Sequence, residues 1–251
     1  MHNIENIVVR ARPNPAASRT LVCLGFCGGG SGAYLPWVDV LPADVELAVV
    51  CYPGREGRFL DEYAPDWAAL AADATAAVTA AASRPYVLFG HSMGGWMAFD
   101  VADRLARQGG PQPEALVVSS ANAPSRGLTP RDMFPSRQDT DDQLLDWMRT
   151  NGLMPSYVLD DPELREMALD LMRADIRVRD TFRYTDGRVT VPLQVLTGST
   201  DQVIVPDTAA QWRALAAGAY SHVELSGGHF YTPPTWRTLP RHIEALSTVP
   251  A

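Results

Sequence analysis

The amino-acid sequence predicts an α/β fold with a mostly parallel central sheet flanked by helices. Three observations predict it. Short β-type runs alternate with helical segments along the chain, the rhythm of an open parallel sheet. The middle runs are continuously apolar, as strands covered by helices on both faces must be. The 251 residues suffice for one large core, with little room for a second.

The expected strands are 7–10, 20–26, 46–52, 86–90, 115–120, 193–197 and 222–225. Helices are expected at 66–82, 93–108, 206–216 and 236–247; Asp66 stands at an N-cap position and Gly109-Gly110 supplies a C-terminal stop. Between about 125 and 188 the strands disappear. Leu164, Met167, Ala168, Leu171 and Met172 make an apolar stripe there at helical spacing. The segment reads as a helical lid, inserted into a single domain over 1–251 and folded across the carboxyl edge of the sheet.

Composition excludes several function classes. No run approaches the ~20 apolar residues of a membrane span, and the N-terminal residues carry no basic-then-apolar leader, so a cytoplasmic setting is expected. Cys23, Cys27 and Cys51 read as reduced thiols rather than a disulfide framework. A net charge of −8 argues against nucleic acid or an anionic membrane as partner. The chain contains arginine but no lysine, which removes Walker-type phosphate loops and Schiff-base chemistry.

The stretch Tyr86-Val87-Leu88-Phe89-Gly90-His91-Ser92-Met93-Gly94-Gly95 runs a buried strand through Gly-x-Ser-x-Gly into a helix. A nucleophile needs that sharp turn to stand free above the sheet, and the flanking glycines give room for it. Ser92 also sits at a helix N-terminus, which favours a developing anion. This places the chain in the α/β-hydrolase fold. Among five histidines, His2 is terminal, His91 lies inside the turn, His222 opens a strand and His242 belongs to the last helix. His229, in the loop Ser226-Gly227-Gly228-His229-Phe230, satisfies the chain order Ser, acid, His of this fold. The acid is Asp201 in the loop after strand 193–197, with Asp207 as rival, although Asp207 reads as a helix N-cap.

An oxyanion hole needs two backbone N–H groups. Met93 supplies one; Cys27 is the choice for the other, from the loop Gly25-Phe26-Cys27-Gly28-Gly29-Gly30-Ser31-Gly32, with Phe26 and Gly28 as competitors. The same glycines formally match a dinucleotide fingerprint, but the next strand ends Val49-Val50-Cys51-Tyr52, without the required acidic residue. No Cys/His spacing resembles a zinc site.

With these residues placed, the sequence resembles the type II thioesterases that accompany modular polyketide and non-ribosomal peptide synthases. The likeness rests on the glycine loop with Tyr34-Leu35-Pro36-Trp37, on Pro53-Gly54-Arg55-Glu56, on Gly90-His91-Ser92-Met93-Gly94-Gly95 and on Gly227-Gly228-His229-Phe230. Asp161-Pro162-Glu163-Leu164-Arg165 and Arg173-Ala174-Asp175, followed by Tyr184, resemble the family's lid. Gly25 and Cys27 depart from it, standing where the family usually has Pro and Ala. The resemblance implies hydrolysis of acyl groups from the phosphopantetheine arm of acyl or peptidyl carrier proteins, clearing misprimed or stalled units, with no cofactor and no metal. A general carboxylesterase or lipase is the alternative. Carrier proteins of these synthases are acidic, as is this chain, so recognition is expected to rest on the phosphopantetheine arm reaching under the lid and on local arginines: Arg55 and Arg58 after the Pro-Gly turn, or Arg126 and Arg131 beside the lid. Met133, Met148, Met154, Met167 and Met172 fall in the insertion with Trp147, as lid core or as a pliable lining for several acyl chains.

Overall fold

The structure, a computed structural model, describes residues 7–133, 135–137, 139–153 and 156–247. Its strands are β1 (Val8–Val9), β2 (Arg19–Leu24), β3 (Val45–Val50), β4 (Tyr86–His91), β5 (Ala115–Ser119), β6 (Leu193–Gly198) and β7 (Tyr220–Leu225). They form one sheet in the order β1-β3-β2-β4-β5-β6-β7. β1 runs antiparallel to β3, and the other pairings are parallel. Strand ends move by a few residues from expectation. β2 stops at Leu24 because the chain beyond it folds into a turn closed by Gly29 N–H on Phe26 C=O at 2.9 Å.

Side chains alternate across the sheet with period two. Val22, Leu24, Leu88 and Val118 face one buried layer, with α1 (Trp67–Ala81) and α2 (Met93–Gln108). Leu21, Cys23, Phe89 and Val117 face the other, with Tyr34 and Trp37. α1 begins where Asp66 Oδ1 accepts the Ala69 N–H at 2.9 Å, and α2 ends at Gly109 in a left-handed conformation (φ 66°). α6 (Thr208–Leu215) follows Asp207, whose side chain makes no capping bond to the helix backbone.

The expected helix at 236–247 does not form as one piece. It divides into α7 (Pro233–Thr238), a 3₁₀ turn (Leu239–His242) and α8 (Glu244–Ser247). Pro240 has no N–H to give, and its ring opposes the carbonyl four residues back, so a helix through it breaks. The fragments still bury Leu239, Ile243 and Leu246 against the sheet.

Between β5 and β6 lie α3 (Asp141–Thr150), α4 (Ser156–Asp160) and α5 (Pro162–Arg179), with no strand among the described residues. α5 starts from Asp161, whose carboxylate accepts the N–H groups of Glu163 and Leu164. Of the expected stripe of α5 only Met172 is fully buried; Leu164, Ala168 and Leu171 are half-buried and Met167 is 44% exposed. The buried face continues from Met172 through Asp175 and Ile176 to Arg179, and so carries two charges. Met148 is buried and Met133 half-buried; Met154 lies outside the described residues. None of the four described methionines lines the cavity at Ser92, so the methionine-lined acyl pocket is corrected to core and surface. No helix among the described residues is long and apolar enough to cross a membrane.

Candidate active site

Ser92 joins β4 to α2 at φ 55°, ψ −122°, a conformation that costs a non-glycine residue about 1–3 kcal/mol and persists only where the surroundings impose it. They do so here by close packing. A Cβ on Gly90 would stand 1.8 Å from the Gly94 carbonyl oxygen, and one on Gly94 would stand 2.3 Å from the Leu24 carbonyl oxygen. The Ser92 N–H is fixed on the Ser119 carbonyl at 2.8 Å.

Asp201 and His229 arrive from the neighbouring strand ends. The Asp201 N–H closes a turn on the Gly198 carbonyl (3.1 Å), and the Thr200 N–H bonds the Gly227 carbonyl (2.9 Å), tying the Asp201 loop to the His229 loop. Asp201 Oδ2 lies 2.9 Å from His229 Nδ1, and His229 Nε2 lies 2.9 Å from Ser92 Oγ. With a carboxylate accepting at Nδ1, the proton belongs on that nitrogen, leaving Nε2 to accept from Ser92. Burial pushes the Asp201 pKa up, but the hydrogen bond and charge of His229 and the N–H of Val203 outweigh it, so the carboxyl stays below its ordinary value. Asp207 is exposed and bonds the Gln211 side-chain amide at 2.6 Å.

Cys27 and Met93 line the same cavity as Ser92 and His229, together with Phe26, Trp147 and Phe230. Met93 opens α2, so its N–H has no acceptor within the helix. Gly28 is removed as a competitor because its N–H donates to Asp175 Oδ2 at 2.8 Å. The Cys27 thiol is buried beside Met93 Sδ, and burial pushes its pKa up to about 12, which keeps it protonated.

His91 does other work. Its ring is fully buried, with Nδ1 2.9 Å from Ser119 Oγ, which in turn lies 2.7 Å from the Tyr231 hydroxyl. Burial, and then the nearby His229, push its pKa far below the ordinary 6.5. The unfolded chain therefore binds a proton below about pH 6.5 that the folded chain refuses, and stability falls as the pH drops beneath that value. Wild-type Tm should decline from pH 7 to pH 5 more steeply than that of His91→Asn, measured by calorimetry. Equal declines would contradict this account of His91.

The arginine expectations are corrected. Arg55 and Arg58 are 5% and 7% exposed, each locked in internal ion pairs. Arg58 bonds Asp61, Asp73 and the Cys51 carbonyl. Arg126 is paired with Asp132, and of the four only Arg131 is at the surface. Arg55 instead forks onto Asp175 of α5 (2.6 and 3.0 Å); burial opposes its charge, and Asp175 more than restores it. Removing either partner would leave a buried charge at a cost of about 3–5 kcal/mol. Sequence reasoning missed Asp175. The available signal was its spacing three from Met172 and four from Arg179, on the face that turns out to be buried.

A sheet of this order, with a strained serine after its fourth strand and Asp and His after its sixth and seventh, defines an α/β hydrolase. The chain belongs to the thioesterase family, whose thioesterase domain matches residues 19–246. It is 35% identical over 211 residues, 83% of the chain, to the AMB antimetabolite synthetase AmbE of Pseudomonas aeruginosa, and 33% identical over 240 residues, 95% of the chain, to the "Probable cadicidin biosynthesis thioesterase" of Streptomyces griseus. It spans 10% and 63% of the lengths of those two relatives. The solved type II thioesterase BorB from the borrelidin biosynthetic cluster superposes with a TM-score of 0.83 at 32% identity, covering 96% of this chain and 98% of that one. The resemblance to type II thioesterases is thereby borne out.

Proposed function

We propose that the protein hydrolyses acyl thioesters carried on the phosphopantetheine arm of acyl or peptidyl carrier proteins, as an editing thioesterase of polyketide or non-ribosomal peptide synthesis in the cytoplasm. The observation that carries this reading is the hydrogen-bonded line Ser92–His229–Asp201 in a cavity beneath the insertion, in a chain of this family. Ser92 Oγ attacks the thioester carbonyl as His229 Nε2 takes its proton, and the N–H groups of Met93 and Cys27 receive the oxyanion. The same proton then goes to the departing thiol. Water activated by His229 releases the acid and frees Ser92. Asp201 holds the Nδ1–H tautomer throughout and stabilises the imidazolium. The helices of 125–188 are read as a lid of one domain, and neither cofactor nor metal takes part.

With Arg55, Arg58 and Arg126 occupied internally, recognition of the carrier rests on the arm and the surface around the cavity. The expected result is a higher kcat/KM for an acyl group on a phosphopantetheinylated carrier than for the same acyl group on N-acetylcysteamine, because remote contacts contribute transition-state binding that the truncated substrate lacks. Equal values would return the chain to the general esterases.

A further inference from the structure

We infer that Arg55 and Asp175 are positioning residues for the oxyanion loop: together they set the backbone of 27–29 so that the Cys27 N–H faces the carbonyl held at Ser92. The inference rests on the oxyanion reading above and extends it to two residues outside the cavity.

Three separate pieces of chain meet at this pair: the loop after β2, the loop after β3 and helix α5 of the insertion. Asp175 Oδ2 accepts the Gly28 N–H (2.8 Å) while the carboxylate is forked by Arg55, and Arg55 Nη1 also donates to the Gly29 carbonyl (2.7 Å). The Gly29 N–H is held by the Phe26 carbonyl (2.9 Å). Because the Phe26–Cys27 peptide is planar and trans, turning its C=O toward Gly29 sends the Cys27 N–H the opposite way. Cys27 lines the Ser92 cavity, whereas Arg55 and Asp175 do not. Both are buried, 5% and 3% exposed, so they act through the loop rather than on substrate. Helix α5 backs the loop directly as well. Gly28 has φ 71°, and a Cβ there would stand 2.6 Å from Met172 Cε. Placement of the insertion and placement of the donor are thus mechanically one.

A pair that merely braces α5 would alter stability and leave the transition state alone. The test uses Arg55→Lys and Asp175→Asn, an acyl N-acetylcysteamine thioester, a trifluoromethyl ketone analogue of it, and the thioether with CH2 in place of the carbonyl. On binding the ketone, Ser92 Oγ adds to the carbonyl carbon, the serine proton passes to His229 and the carbonyl oxygen becomes an oxyanion. Complete loss of one such donor typically costs about 10²–10³ in kcat. For a displaced donor the expected result is a fall in kcat of about 10–100-fold. The ketone Ki should rise by the same factor, with KM and thioether affinity unchanged. Folded variants with a lowered Tm but unaltered kcat and ketone Ki would overturn the inference.

Should neither variant fold, amide exchange on the wild-type protein decides. The Gly28 amide should be protected before the ketone binds, and the Cys27 amide only afterwards. Free exchange at Gly28, or no change at Cys27, overturns the inference. None of these measurements needs a carrier, so a missing carrier preference would sink the proposed substrate without touching this result. A protein that neither cleaves the thioester nor binds the ketone would overturn both.

Discussion

Replacing Ser92 with alanine should lower kcat on acyl thioesters by about 10⁶-fold, the loss typical when a triad nucleophile is deleted. Turnover in this account passes through a bond to Ser92 Oγ, and the neighbouring Cys27 thiol cannot substitute. Burial holds that thiol protonated, with a pKa of about 12, and its contact is Met93 rather than an imidazole. The fold should survive, because Ser92 makes no side-chain capping bond to α2 and an alanine Cβ replaces its own. Circular dichroism and Tm should match wild type while the steady-state rate collapses. Full activity in a folded Ser92→Ala protein would remove the mechanism.

Asp201→Asn should be nearly as damaging, with kcat lower by about 10⁴. The cause is the tautomer. A carboxylate at 2.9 Å from His229 Nδ1 requires a proton there, whereas an asparagine amide can donate to Nδ1 and drive the proton to Nε2, the atom that must accept from Ser92. The same substitution carries a stability signature. The Asp201 carboxyl is held below the ordinary value of 3.8, so its contribution is present above that pH and lost as the pH falls through the lower folded value. The asparagine protein should therefore be less stable than wild type at neutral pH, with the gap closing in strong acid. Asp207→Asn should leave the rate unchanged, since Asp207 is exposed and bonded to Gln211. The reverse pattern would transfer the acid's role to Asp207.

The features legible in the sequence were those dictated by local chemistry. Continuously apolar runs marked the inner strands, because both faces of this sheet are covered. Gly90 and Gly94 marked the turn at Ser92, because backbone there approaches too closely for any Cβ. Asp201 and His229 followed from chain order at strand ends, where the loops of a parallel sheet gather on one edge. The misreadings arose where distance along the chain hides a partner. Arg55 beside a Pro-Gly turn looks like a surface cation until Asp175, 120 residues later, is seen to bury it. Arg58 is likewise claimed by Asp73 from α1. The apolar stripe of α5 runs in the sequence from Leu164 to Met172, while burial runs from Met172 to Arg179, where Asp175 and Arg179 interrupt the hydrophobic pattern. A continuous last helix through Pro240 is something that local rules alone already forbid, because proline has no N–H to donate and its ring opposes the preceding turn.

The most direct measurement is to mix an acylated, phosphopantetheinylated carrier protein with the enzyme, quench within the first turnover and map the acyl group by mass spectrometry. The expected result is a burst of free carrier thiol matched by acyl mass on the peptide containing Ser92, with no adduct in Ser92→Ala. Thiol release with the acyl group on any other residue, or thiol release by Ser92→Ala at the wild-type rate, would contradict it.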